Sequence, residues 1–227
     1  MIDLKKGSRF NLKKADENLP SSDGHKGITE FCVGCNWGKI RSKGFLGLFP
    51  STEEVDLDLS CILFDKDRKM VDYIYSPQYL PEFLIQYGYP RGKLFTENGA
   101  LRHSGDDRAG DEINNDRDNE IIQVDLRKIN PNVQQIFFFL NYAEDSGDFA
   151  KIPYASIRLF EGTPSVVKKV HASFNVASDP SFRGRKSMVM GKLFKDSDGS
   201  WCFWALGDPL NAENVCETMN QIKRSFV

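Results

Sequence analysis

The sequence predicts an all-β protein, a β-sandwich of two antiparallel sheets with a C-terminal helix. Segments with apolar side chains at alternate positions recur roughly every 10–15 residues, with turn residues between them, which is typical of sandwiches and barrels. No helical repeat separates each pair of strands, as a parallel sheet would require. The 227 residues allow one large all-β domain or two small ones, and we assign residues 1–227 to a single domain.

The first elements are short strands joined by polar loops. Residues 1–12 hold two apolar–polar segments around a glycine, which indicates an edge strand and a turn. Residues 13–28 are polar and predict a loop, whereas residues 30–38 predict a strand. Residues 39–54 contain several basic residues and glycines, and predict a second loop.

Cys32 and Cys35 form a C-x-x-C within the strand predicted at 30–38. A structural zinc site needs four ligands, and the other three cysteines are dispersed along the chain. We interpret the pair as small apolar side chains of a strand, with zinc or redox chemistry as the alternative. The odd number of cysteines and the lack of an apolar N-terminal segment favour a reducing cytoplasm.

Residues 55–65 predict the clearest strand, because apolar side chains occupy every second position. Asp56 and Asp58 share its other face, roughly 7 Å apart along the chain. A polar turn leads to residues 70–75, which complete a hairpin. Residues 76–98 are rich in aromatic residues and proline, and their pattern assigns no element.

The second half of the chain supplies the other strands. Residues 133–142 are apolar on both faces, so we expect a central, buried strand there. Alternating patterns and turn residues predict the remaining strands at 121–126, 154–160, 165–171, 187–194 and 200–206.

The last element is a helix over about 209–225, in which apolar residues recur at a spacing of about 3.6. Asp208 is the predicted N-cap, and Pro209 suits the first turn. Lys223 and Arg224 complement the negative end of the helix dipole.

A strongly acidic loop spans residues 103–120. Between residues 106 and 120 it holds seven carboxylates against two arginines, a local charge of −5 in a chain whose net charge is −2. Two carboxylates about 4 Å apart repel by roughly 4 kcal/mol near a protein surface. Solvation, protonation or a bound cation relieves such repulsion.

Calcium is a suitable cation, since it prefers about 6–8 oxygen ligands. Gly105 and Gly110 would let the loop bend around an ion. The loop is not an EF-hand, because Ile121 stands where that motif needs glycine. An ion would therefore be held by residues from separate segments. On composition alone, a solvated acidic loop stays open as the alternative.

Several motifs occur together in a fixed order. They read LKKGSRFNL at 4–12, VGCNW at 33–37, DLDLS at 56–60, HSGDDRAG at 103–110 and DNEIIQVDL at 118–126. This set resembles the TerD family of tellurium-resistance and general stress proteins, over most of residues 1–206.

The resemblance implies a cytoplasmic bacterial sandwich whose acidic loops bind one or two calcium ions at one end. It implies a ligand set, partly through main-chain carbonyls, drawn from Asp56, Asp58, Asp106, Asp107, Asp116, Asp118, Asn119 and Glu120. It further implies a non-enzymatic, calcium-ordered interaction module of the stress response. The partners would be other tellurite-resistance or stress proteins, with a membrane-associated complex as an option. The net charge of −2 predicts no nucleic-acid partner.

The chain also departs from the family's compact pattern. Residues 39–54 and 76–98 are longer, and residues 208–227 extend past the clear likeness. Asn114 and Asn115 replace the usual acidic or glycine residues, which would weaken a second calcium site.

Two other functions stay open. A metal-dependent phosphoester hydrolase could use the same carboxylates, with His103 as a base. A calcium-dependent membrane-surface binder could use basic residues 39–43 beside Phe45 and Leu46. The sequence has no nucleophile elbow and no Walker loop, so we prefer the non-enzymatic module.

Overall fold

A computed structural model describes the chain at residues 2–3, 6–13, 27–43, 50–113, 117–143, 147–175 and 180–227. In these residues the chain forms two six-stranded sheets, a two-stranded ribbon and two α-helices. The architecture confirms the predicted all-β sandwich with a C-terminal helix. Within the described ranges, no helix is long and apolar enough to cross a membrane.

The first sheet contains the strand that carries both N-terminal cysteines. Its strands lie in the order β1 (Ile2–Asp3), β12 (Val166–Asn175), β11 (Ala155–Thr163), β3 (Glu30–Trp37), β9 (Glu120–Asp125) and β8 (Leu101–His103). All its pairings are antiparallel except that of β1 with β12, which is parallel.

The second sheet is antiparallel throughout. Its strands lie in the order β2 (Arg9–Asn11), β14 (Trp201–Leu210), β13 (Ser187–Lys195), β10 (Val133–Tyr142), β6 (Leu57–Asp65) and β7 (Met70–Ile74). The N-terminal segment thus supplies an edge strand to each sheet, in accord with the edge strand predicted there. A turn at Gly7, whose φ is +87°, lies between the two.

A separate ribbon replaces part of the loop predicted over residues 39–54. It pairs β4 (Ile40–Lys43) with β5 (Pro50–Glu53). The sequence did not predict these strands because they are polar and lack an apolar alternation. Phe45 and Leu46, and most of the loop predicted at 13–28, lie outside the described residues.

The main core lies between the two sheets. Phe31 and Trp37 of the first sheet are fully buried there, as is Phe138 of the second. Strand β10 also sends Phe137 and Phe139 to the opposite face of its sheet, into a second core. This confirms that 133–142 is a central strand buried on both sides.

Two helices cover the second core. They are α1 (Pro81–Gln86), which lies within the unassigned stretch 76–98, and α2 (Val215–Ser225). Leu84 of α1 is buried there, as are Met219 and Ile222 of α2. The molecule therefore has a helical layer on one outer face.

The two cysteines of the C-x-x-C lie on opposite faces of β3. Cys35 belongs to the main core, whereas Cys32 packs in a small outer cluster with Phe160 and Ile121. Burial, and secondarily the charge of Asp118, raises the pKa of Cys32 to about 12. The arrangement supports the interpretation as packing side chains, since two thiols on opposite faces cannot share an ion.

The C-terminal helix begins at Val215, not near residue 209 as predicted. Asp208 and Pro209 belong to β14, where they pair with β13. Strand β2 covers β14 at residues 202–204, so Pro209 lies where its missing N–H is tolerated. Asn214 is the true N-cap, because its side chain accepts the N–H of Glu217 at 3.0 Å.

Asn214→Ala is expected to lower the free energy of unfolding by about 1 kcal/mol, because the capping acceptor is lost. Urea denaturation followed by circular dichroism measures the change. Asn214→Ser retains an oxygen acceptor without placing a second carboxylate beside Glu217, and should lose much less stability than Asn214→Ala. Asp208→Ala removes a partly exposed ion pair with Lys6, which contributes little. A greater loss at Asp208 than at Asn214 would contradict the observed helix start.

Candidate metal centre

Three carboxylates converge at one end of the sandwich. Asp56 and Asp58 lie at the start of β6, and Asp106 lies in the loop between β8 and β9. One oxygen from each of the three lies within 4.8 Å of the others. The structure therefore brings together the two acidic motifs that are distant in the sequence. We call these three residues the carboxylate cluster.

Asp58 is the buried member of the cluster, with 8% of its surface exposed. Its Oδ2 accepts a hydrogen bond of 2.5 Å from the Tyr79 hydroxyl. Burial raises the pKa of Asp58 to about 7, against the lowering effect of that hydrogen bond. The negative charges of Glu120, Asp56 and Asp106 raise it further. A bound cation would favour the ionised carboxylate in this position.

The other two members are more accessible. Asp106 is exposed, and its Oδ2 accepts a 2.7 Å hydrogen bond from Nε2 of Gln78. Asp56 is half-buried, with its Oδ2 3.5 Å from Nε of Arg108, which is mostly exposed. Gly105 precedes Asp106 with a φ of +116°, a conformation that favours glycine.

Asp107 and Asn119, two of the predicted ligands, fix the shape of the loop. Oδ1 of Asp107 accepts the N–H groups of Ala109 and Gly110 at 3.0 and 3.3 Å. Its Oδ2 accepts the Asn119 amide at 3.0 Å. Oδ1 of Asn119 in turn accepts the N–H of Trp37 at 2.8 Å. These oxygens hold the loop against the end of β3.

Glu120 connects the two sheets. Its side chain is almost fully buried, and Oε2 accepts the N–H of Leu59 from β6 at 2.6 Å. Its Oε1 accepts the N–H of Asp107 at 3.2 Å. Burial raises the pKa of Glu120, although these donors and His103 oppose the shift. In this structure Glu120 satisfies main-chain donors of β6 and of the loop.

His103 lies beside the Glu120 carboxylate. Its Nε2 lies 3.4 Å from Oε2 of Glu120, and its side chain is 5% exposed. Its Nδ1 accepts the N–H of Gly105 at 3.1 Å. An acceptor at Nδ1 assigns the proton to Nε2, where it points to Glu120. Both nitrogens are therefore engaged within the protein.

Asp118 pairs with a strand of the first sheet and is not part of the cluster. Its side chain is fully buried, and Nε of Arg158 donates to both its oxygens at 2.8 and 2.9 Å. Burial raises the pKa of Asp118 to about 6, and Arg158 opposes the rise. Gly34 leaves the space that this carboxylate fills. Asp116 lies outside the described residues.

Sequence reasoning missed Tyr79 and Gln78, which donate to two members of the cluster. They lie in the stretch 76–98, which had no periodicity to place it. A tyrosine and a glutamine in such a stretch give no local signal of the carboxylates they will meet.

Comparisons with known proteins agree with this fold. A family model described as the TerD domain matches residues 1–217. The chain is 26% identical to tellurium resistance protein TerZ of Serratia marcescens, across 100% of each chain. It is 25% identical to stress response protein SCP2 of Bacillus subtilis, across 92% of this chain and 93% of that protein.

A solved structure also matches. The crystal structure of a homologue of the telluride resistance protein TerD from Streptomyces coelicolor superposes with a TM-score of 0.55 at 14% identity. The match covers 83% of this chain and 94% of that one. It shows that the fold is shared.

Gly34→Ala is expected to destabilise the protein by about 1–3 kcal/mol, as overpacked substitutions do. The added Cβ would lie 2.4 Å from the Asp118 carboxyl carbon, which Arg158 holds in place. Urea denaturation of both proteins measures the difference.

The control for this effect is the same substitution in an Asp118→Ala background. There the clashing carboxylate is absent, so Gly34→Ala should cost much less. An equal cost in both backgrounds would show that the carboxylate is not what requires glycine at this position.

Proposed function

This chain belongs to the TerD family, and on that premise we propose that it is a calcium-binding, non-enzymatic stress-response protein of the tellurite-resistance type. The observation that supports calcium most directly is the convergence of Asp56, Asp58 and Asp106. Calcium prefers oxygen ligands, and carboxylates are foremost among them. The cluster therefore fits the chemistry of the ion.

We propose one calcium ion at the carboxylate cluster, with main-chain carbonyls and water completing its coordination. The ion would supply the positive charge that three close carboxylates lack. Asp58 would bring rigidity, because it is buried at the start of a central strand. Asp106 would connect the ion to the loop between β8 and β9, whose conformation depends on Asp107. Occupancy of the site would thus tie the loop to the sandwich.

The loop fixed in this way would serve as a docking surface for other stress-response proteins. Glu112 and Ile113 are exposed on the same loop, Ile113 to 71%. The shape of this surface would depend on calcium, because the ion joins the loop to β6.

The structure gives a phosphoester hydrolase less support than the binding module. The side chain of His103, the base considered for that function, is 5% exposed, and both its nitrogens contact groups within the protein. A general base must reach the proton that it removes from substrate or water. In this arrangement His103 serves the fold around Glu120.

Calcium is expected to raise the unfolding temperature of the protein, because an ion that binds the folded state alone stabilises it. The gain is about 2.7 kcal/mol at 100 times the dissociation constant. Asp106→Asn should abolish most of the shift, because it removes one of the three carboxylates of the proposed site. Asp106 is the exposed member of the cluster. Differential scanning calorimetry with calcium or with a chelator measures the effect.

Asp67→Asn provides a matched control, because it removes one exposed aspartate from the turn between β6 and β7. It should retain the full calcium shift. Calorimetric titration of the parent protein should give one ion at the cluster. Equal unfolding temperatures with calcium and with chelator would refute calcium binding.

A further inference from the structure

A segment that the sequence left unassigned leads from the carboxylate cluster to the helical layer. It comprises residues 76–89, and we call it the tyrosine arm. At its first end, Gln78 and Tyr79 donate to Asp106 and Asp58. These are two of the three carboxylates in the proposed calcium site.

The rest of the tyrosine arm packs on the second core. Leu84 is buried there, and the Tyr79 ring lies edge-on to Tyr75 at a centroid distance of 6.4 Å. The Tyr87 hydroxyl lies 3.3 Å from Oε1 of Glu217, and the Tyr89 hydroxyl lies 3.1 Å from Oδ1 of Asn220. The arm therefore contacts α2 as well as the cluster.

We propose that Tyr79 is a positioning residue for the calcium site and that the tyrosine arm transmits occupancy of the site to the helical layer. This inference rests on the proposed calcium binding. It adds that the ion is sensed in a part of the molecule that supplies no carboxylate to the cluster.

The burial of Asp58 is the reason for a positioning role. Water can orient the exposed carboxylate of Asp106, but Asp58 is almost completely withdrawn from solvent. Its orientation therefore depends on protein donors, and the Tyr79 hydroxyl bonds one of its two oxygens. Partners that orient ligating groups in this way typically change metal affinity by about 10–100-fold.

Transmission along the arm follows from reciprocity. If the Tyr79 hydrogen bond favours calcium binding, calcium must favour the arrangement of the arm that makes this bond, to the same extent. The arm is continuous with α1, and α1 places Leu84 in the second core. A calcium ion should therefore reduce local opening of α1.

The experiment compares Tyr79→Phe with the parent protein by calorimetric calcium titration and by hydrogen exchange of residues 81–86. We expect Tyr79→Phe to bind calcium about tenfold more weakly. In the parent protein, saturating calcium should slow amide exchange in α1. In Tyr79→Phe, saturated with calcium at a higher concentration, this slowing should be lost.

Tyr87→Phe is the matched control, since it removes a hydroxyl from the same arm that contacts Glu217 and not the cluster. It should keep the affinity of the parent protein, which separates positioning from general loosening of the arm. Unchanged or tighter binding by Tyr79→Phe, or α1 exchange that calcium does not alter, would overturn the inference while calcium binding stands. A parent protein that binds no calcium would instead overturn the proposed function itself.

Discussion

The buried carboxylate of Glu120 is the interaction on which the acidic end of the molecule depends. Glu120 lies on β9 of the first sheet, yet it accepts the N–H of Leu59 from β6 of the second. Strand β7 pairs with β6 at residues 61–64, so Leu59 lies past its end. The other oxygen of Glu120 bonds Asp107 in the loop. One side chain thus joins both sheets and the loop, and a buried acceptor of this kind is costly to lose.

The dense negative charge of the loop divides into two parts. Asp107 and Asp118 have partners that neutralise or satisfy them: main-chain N–H groups for the first and Arg158 for the second. These contacts fold the loop back onto β3 and β11. Asp106 points instead towards Asp56 and Asp58. The contacts of Asp107 and Asp118 therefore fix the parts of the loop on either side of the segment they enclose, and Asp106, next to Asp107, lies beside Asp56 and Asp58.

Alternation in the sequence was sufficient to predict the strands of the core, because burial on one or two faces leaves a clear pattern at β6 and β10. The predicted start of α2 was wrong because Asp208 and Pro209 satisfy the local rules for a cap and a first turn. Pairing of β14 with β13 overrides those rules. The convergence of Asp56, Asp58 and Asp106 could be predicted from the motifs that contain them. The roles of Asp118 and Glu120 could not, because they depend on donors from Arg158 and Leu59, which are far away in the chain.

Strand β10 has a consequence for how the molecule comes apart. Its phenylalanines enter both the space between the sheets and the space beneath the helices. Neither the main core nor the second core can be opened without disturbing β10, because this strand contributes side chains to both. The helices and the sandwich should therefore unfold together, in one cooperative thermal transition. Truncation of the chain before α2 would expose Phe137 and Phe139 to water. The resulting apolar face of the sheet would be prone to self-association.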